Sequence, residues 1–257
     1  MDTFLYKNAL GITALKACMH KFSYKKHAHE EYAIGVTLKG VQEYSLDGIS
    51  QASYPNGVML FNPEQIHDGN AREYQEGLDY VMLYIKPELF LEALDKKEII
   101  KFSAPIIYNE KIKHDILNLS SAIFNQRDEA LCCELYLDLM DNFNSVDLFS
   151  QYQNEGKFIQ KVKEKIYDEL DDVLALEQIS KEFGISKFQF IRMFKSNTGI
   201  TPYQYFLNTK ITHAKKHLDT TKDLYATVVE FGFTDLSHLN RHFKRFYGIT
   251  AYEYISK

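Results

Sequence analysis

The spacing of apolar positions changes along the chain and divides it into zones. Residues 20–90 hold short apolar and aromatic runs broken by Lys39-Gly40, Asp47-Gly48, Pro55-Asn56-Gly57, Asn62-Pro63 and Asp68-Gly69. Runs that recur about every 8–12 residues between such pairs predict antiparallel strands in a β-barrel or sandwich. Over 110–143 the spacing becomes helical. Ile112, Ile116, Leu119 and Ile123 form one stripe and Leu131, Leu135 and Leu139 another, with Asn125–Glu129 as the break. Residues 144–157 (NSVDLFSQYQNEGK) are polar and weakly patterned, which predicts a linker. From Phe158 onward the pattern is helical, punctuated by Gly184, Gly199, Gly232 and Gly248.

The last zone contains an internal repeat. Phe183-Gly184-Ile185-Ser186 is followed by Arg192-x-Phe194-Lys195 and Gly199-Ile200-Thr201-Pro202-Tyr203-x-Tyr205. The second copy reads Phe231-Gly232-Phe233-Thr234, Arg241-x-Phe243-Lys244 and Gly248-Ile249-Thr250-Ala251-Tyr252-x-Tyr254, with a one-residue insertion. Two copies are too few for a solenoid and predict a duplicated module. In each, an apolar-spaced helix (Leu176, Ile179 and Phe183 in the first) meets a glycine that permits a left-handed turn. Ser186 or Thr234 would then cap the next helix, which is buried by Phe190 and Phe194, or by Leu239 and Phe243. Helix, glycine turn and capped helix make the helix-turn-helix pattern, whose second helix enters the major groove. Phe188, Ile191 and Arg192 share the outward face of one second helix; Leu236, Ser237, Asn240 and Arg241 share that of the other. Arginine can read guanine and asparagine adenine, while Lys195, Lys244 and Arg245 stand where phosphates would pass.

Charge supports this division. The net charge is −5 over 257 residues, but residues 1–156 carry 14 basic against 23 acidic side chains, and 157–257 carry 16 against 12. An acidic first half and a basic second half fit a nucleic-acid partner for the latter alone. With 45% apolar residues the chain is an ordinary globular one, not a disordered one. No apolar run reaches the ~18 residues of a membrane helix, and no secretory leader is evident, so a cytoplasmic location is expected. Cys18, Cys132 and Cys133 form neither a disulfide framework nor a zinc knuckle.

Residues 171–257 resemble the DNA-binding domain of AraC/XylS-type transcription regulators. The second-unit signature stands as Gly232-Phe233-Thr234-Asp235-x-Ser237-x-Leu239-x-Arg241-x-Phe243-Lys244, then Gly248-Ile249-Thr250. The resemblance implies two helix-turn-helix units joined by a long helix, about Pro202–Leu218, with Ile211, Ala214 and Leu218 packed inward. It implies DNA contacts from Ser186, Lys187, Phe188, Ile191, Arg192 and Lys195 in the first unit, and from Asp235, Leu236, Ser237, Asn240, Arg241, Lys244 and Arg245 in the second. Lys210, Val228-Val229, Leu239 and Ala251 depart from the family pattern in ways that conserve packing. Ile191 replaces a frequent polar base reader, so the first unit would rely on Arg192, on thymine methyls and on backbone contacts.

His27-Ala28-His29, Ile34-Gly35 and Ile66-His67-Asp68-Gly69 resemble the cupin-like sensor domain common in these regulators. That resemblance places His27, His29, Tyr32, His67, Asp68 and Tyr84 around an effector. The three histidines could hold Zn²⁺ or a similar metal, contact an organic ligand directly, or serve the fold. Ala33 and Ile34 stand where catalytic cupins supply a carboxylate, so no catalytic residue and no enzyme activity are expected. The rival readings are a metal-dependent cupin enzyme with an accessory helical domain, and a protein-interaction module. The expected organisation is multidomain α+β: a cupin-like β-barrel or sandwich over 1–95, a helical dimerisation or linker segment over 96–156, and an all-α double helix-turn-helix domain over 157–257. The leucines of 110–143 would either pack on the barrel or form a homodimer interface. Expected partners are double-stranded promoter DNA, a small-molecule effector, a second copy, and RNA polymerase if the protein activates; a membrane is not among them.

Overall fold

The computed structural model describes residues 2–73, 76–151, 156–171 and 174–256. It contains two compact units, one of residues 1–23 and 28–153 and one of residues 24–27 and 154–257.

The chain opens with nine strands: β1 (Thr3–Ala9), β2 (Ile12–Met19), β3 (Ser23–His27), β4 (Tyr32–Lys39), β5 (Gln42–Leu46), β6 (Ile49–Ser53), β7 (Val58–Phe61), β8 (His67–Ala71) and β9 (Leu78–Ile85). Helix α1 (Pro87–Ala93), strands β10 (Ile100–Phe102) and β11 (Ile106–Ile107), helices α2 (Glu110–Phe124) and α3 (Glu129–Asn144), and strand β12 (Phe149–Gln151) follow. The strands form an open six-stranded sheet ordered β1-β2-β9-β4-β7-β11, an open four-stranded sheet ordered β3-β8-β5-β6, and the pair β10-β12. Of the expected alternatives, barrel or sandwich, a closed barrel is therefore not formed. The larger sheets meet through the rings of Tyr44 and Phe61, 5.1 Å apart, and a buried 2.8 Å bond between the Thr37 and Ser53 hydroxyls. Alternation along β4 sends Ala33, Gly35 and Thr37 toward that interface. Tyr32, Ile34 and Val36 face the other way, into the core shared with the helices.

Helix α2 begins where Asn109 accepts from the Lys111 and Ile112 amides. It buries Ile112, Ile116, Leu119 and Ile123, the expected stripe. In α3 the buried residues are Cys132, Tyr136, Leu139, Met140, Asn142 and Phe143, while Leu131 is 41% exposed. The second predicted stripe is therefore buried only in part: Leu139 is buried and Leu135 half-buried, and Phe143 packs on Phe90, Phe102 and Phe149. Both helices share one apolar core with β2, β4 and β9. The linker expected over 144–157 is also corrected in part. Leu148 is buried, and Phe149–Gln151 pairs with β10; residues 152–155 lie outside the described residues.

From Lys157 onward the described residues are helical, as expected: α4 (Lys157–Asp168), α5 (Leu176–Glu182), α6 (Lys187–Thr198), α7 (Pro202–Thr221), α8 (Leu224–Glu230), α9 (Leu236–Tyr247) and α10 (Ala251–Ile255). Ile211, Ala214 and Leu218 are buried on α7, the joining helix. Two turn glycines differ in their surroundings. Gly184 has φ +65° and open space where a Cβ would stand, whereas Gly232 has φ +54° and would set a Cβ 2.6 Å from the Asp171 carbonyl oxygen. Gly184→Ala should cost about 1 kcal/mol of stability from the backbone alone. Gly232→Ala adds a clash with main chain and should cost about 2–3 kcal/mol. Urea melts of the two variants check the difference; equal losses would sink it.

Candidate nucleic-acid interface and imidazole cluster

The two helix-turn-helix copies are built from the same local chemistry. In the first, the chain leaves α5, turns at Gly184 and enters α6 at Ser186, whose hydroxyl accepts from the Gln189 amide while Gln189 accepts from the Ser186 amide. In the second, α8 leads through Gly232 to α9, but the cap is Asp235, accepting from the His238 amide at 2.7 Å. Thr234, expected as the cap, instead donates its N–H to His238 Nδ1 at 3.3 Å. The inserted residue lies in the turn, so the cap moves one place along. Gly199 and Gly248, at φ +81° and +78°, end the two second helices. Thr201 and Thr250 then open α7 and α10, each with a reciprocal capping box.

Burial separates packing from display. Phe190 and Phe194 are buried on α6, as are Leu239 and Phe243 on α9. On α6, Phe188 is 69% exposed; Arg192 and Lys195 are exposed and Ile191 is half-buried. On α9, Ser237, Arg241, Lys244 and Arg245 are exposed and Leu236 and Asn240 half-buried. Lys187 lies 3.4 Å from Glu177 on α5, an exposed pair, and Ser186 and Asp235 are engaged as caps. Sequence reasoning missed His238 and His242, whose rings are 4.7 Å apart on α9. Burial chiefly, then the neighbouring His238, Arg245 and Arg241, holds His242 down at about 4. The His-x-x-x-His spacing was the available signal.

His27, His29 and His67 converge: one ring nitrogen of each lies within 4.8 Å of the others, and all three residues are buried. His27 ends β3 and His67 begins β8, adjacent strands of one sheet. His27 Nδ1 is 2.6 Å from the Lys25 carbonyl oxygen and His67 Nδ1 is 2.8 Å from that of Gln65. A ring nitrogen facing a carbonyl carries the proton, so the lone pair of each ring lies on Nε2. Burial pushes His67 down to about 4, against the opposing pull of the Gln65 carbonyl and Asp68. Tyr84 joins this group, its ring 4.9 Å from that of His29. Tyr32 does not. It sits one residue out of phase, stacked on Phe90 at 4.1 Å and donating its hydroxyl to the Ile100 carbonyl. Asp68 accepts from the Ser45 amide at 2.6 Å, and its side chain alternates with His67 along β8.

Comparison with known proteins fits these two halves. A helix-turn-helix domain family matches residues 179–257, and the AraC-like ligand binding domain matches residues 9–139. The chain belongs to the AraC family. This AraC-family regulator is 26% identical over 234 residues to the uncharacterized HTH-type transcriptional regulator YbfI of Bacillus subtilis, covering 87% of this chain and 83% of that one. It is 31% identical over 106 residues to the multiple antibiotic resistance protein MarA of Escherichia coli, covering 41% of this chain and 84% of MarA. Its fold is similar to that of wild-type ToxT from Vibrio cholerae bound to an unsaturated fatty acid, with 14% identity, TM-score 0.60, and 98% and 97% of the two chains covered. Among the described residues, no helix is long and apolar enough to cross a membrane.

Proposed function

We propose that this AraC-family regulator binds promoter DNA in a sequence-specific manner through α6 and α9, under the control of a small molecule held by its amino-terminal domain. The observation that carries the reading is the duplication: two capped helices display Phe188 with Arg192, and Ser237 with Arg241, at equivalent places on exposed faces. Arg192 and Arg241 read base edges, and Lys195, Lys244 and Arg245 hold phosphates. Selection from random DNA at fixed salt should return a bipartite motif with halves about one helical turn apart. Arg192→Ala should relax one half and Arg241→Ala the other, each losing about 1–3 kcal/mol of discrimination. A motif unchanged by both substitutions would remove the arginines from base reading.

The effector site of the cupin-like domain is formed around His27, His29, His67 and Tyr84. Three buried imidazoles, two of them (His27 and His67) with Nδ1 oriented by a backbone carbonyl, fit a divalent metal such as Zn²⁺, which would supply a Lewis-acidic anchor for an effector oxygen. Zn²⁺ should bind at one equivalent per chain in equilibrium dialysis, and His67→Asn should abolish this. Unchanged binding in the variant would exclude the cluster. Assembly as a homodimer is supported by Leu131 and Leu137, 41% and 52% exposed on α3, and RNA polymerase is the further partner if the protein activates transcription. The ligand-controlled change must favour one arrangement over another through unequal effector affinity.

A further inference from the structure

The inward faces of the two larger sheets carry small side chains along one line: Ala33 and Gly35 on β4 and, by the same alternation, Gly69 and Ala71 on β8. Met82 lies directly over Gly35, where a Cβ would stand 2.7 Å from its Sδ. Met59, opposite Gly35 on β7, is buried like Met82. These unbranched thioether chains fill the slot between the sheets, and such chains give way readily to a ligand. His67 stands at one end of the line and Gln42 at the other: Leu46 is opposite His67 in register, and Gln42 is opposite Ala71. Four residues of strand set the two ends about 13 Å apart.

Gln42 is 5% exposed, and among the described residues its buried Oε1 has no hydrogen-bond partner. Alternation along β5 places it on the same face as Tyr44, whose ring meets Phe61 across the slot. The neighbouring hydroxyls do not supply a donor. Ser53, opposite Gln42 on β6, is bonded to Thr37 at 2.8 Å, and the Thr37 hydroxyl donates to Met59 Sδ at 3.8 Å. With the Thr37 hydrogen on sulfur, the Ser53 hydrogen goes to Thr37, so both are spent. A buried amide oxygen without a donor is costly, and only a donor relieves it. A carboxylate brings none. An ammonium would find no acidic side chain on the inward faces of β4, β5 and β8 among the described residues. A hydroxyl fits.

Resting on the effector reading above, we propose that this slot takes an elongated, uncharged effector with an apolar middle, whose far hydroxyl donates to Gln42 Oε1 while its near end meets His67 and Tyr84. Gln42 is thereby a specificity-determining residue, selecting a hydroxylated end over a methyl or carboxylate end. The donor that Gln42 lacks within the chain is supplied by the effector.

The test uses the full-length protein and two readouts. In calorimetric titration, α,ω-octanediol should bind about 5- to 10-fold tighter than octanol, the worth of one net hydrogen bond. The diol of butane, too short to span the slot, should gain nothing over butanol. Gln42→Met keeps the length of the side chain without its amide; it should bind octanol as the wild type does and lose the preference for the diol. In urea melts without alcohol the same variant should be at least as stable as the wild type, because no partner is lost. A wild type that binds neither eight-carbon alcohol, or both equally, would overturn the inference, as would a variant that keeps the preference. So would clear destabilisation by Gln42→Met, which would assign the amide to a buried water. DNA selection with the wild type reports separately. A motif without a diol preference leaves the regulator reading standing and removes this inference alone; a diol preference without a motif does the reverse.

Discussion

Phe194→Ala should destabilise the carboxy-terminal unit by about 3–5 kcal/mol, the cost of an emptied aromatic site plus its cavity. Phe194 is fully buried, its ring 6.4 Å from Phe190 and 5.7 Å from Tyr205. It therefore fastens α6 to α7, the helix that joins the two copies. Against a typical domain stability of about 5–15 kcal/mol, such a loss is a large share of the total. Phe188, six positions earlier on the same helix and 69% exposed, is the control. Its replacement by alanine should leave stability within about 0.5 kcal/mol yet weaken binding to the selected DNA. Urea melts followed by DNA titration distinguish the two. Comparable destabilisation by both substitutions would mean that α6 is packed on a different face.

A second large effect concerns acid. His67 is held at about 4 by burial, well below the ordinary histidine value of 6.5. Above pH 6.5 the ring is neutral whether the chain is folded or not, and its titration contributes nothing. As pH falls from 6.5 toward 4, the unfolded chain takes up a proton that the folded chain resists, so stability drops. The full shift corresponds to about 3 kcal/mol. In protein treated with a chelator, the amino-terminal unit should lose most of that margin by pH 4. His67→Asn keeps a donor for the Gln65 carbonyl but cannot titrate, and should flatten the profile over this range. A wild-type profile as flat as the variant's would show that His67 is solvated.

Much of the carboxy-terminal unit was legible because its information is local. Gly184 and Gly232 mark left-handed turns, Ser186 marks a cap, and Phe190, Phe194, Leu239 and Phe243 mark the buried faces. All of these are set within a few residues along the chain. The convergence of His27, His29 and His67 depended on strand pairing but followed the resemblance. What escaped depended on parity and partners. Tyr32 and Ala33 point to opposite faces of β4, so a one-residue difference decides whether a ring reaches the imidazoles. The cap at Asp235 rather than Thr234 turned on where the insertion was absorbed. Whether ten strands close or stay open depends on pairings between distant edges, which spacing does not encode. The bond from the Tyr252 amide to Asn240 Oδ1 joins residues twelve apart in the chain, through a backbone group that no side-chain pattern reveals.

The placement of the inserted residue has a consequence for how such a molecule can change. A residue added within α9 would rotate everything after it by roughly 100° about the helix axis, turning Arg241 off the displayed face and Phe243 out of the core together. Added before Asp235, it leaves the phase of the helix untouched. The stretch from Gly232 to Asp235 is thus a seam at which length can vary while the lettering on the helix keeps its order and orientation. Redesign of the second reader can treat that seam and the helix face as separate variables.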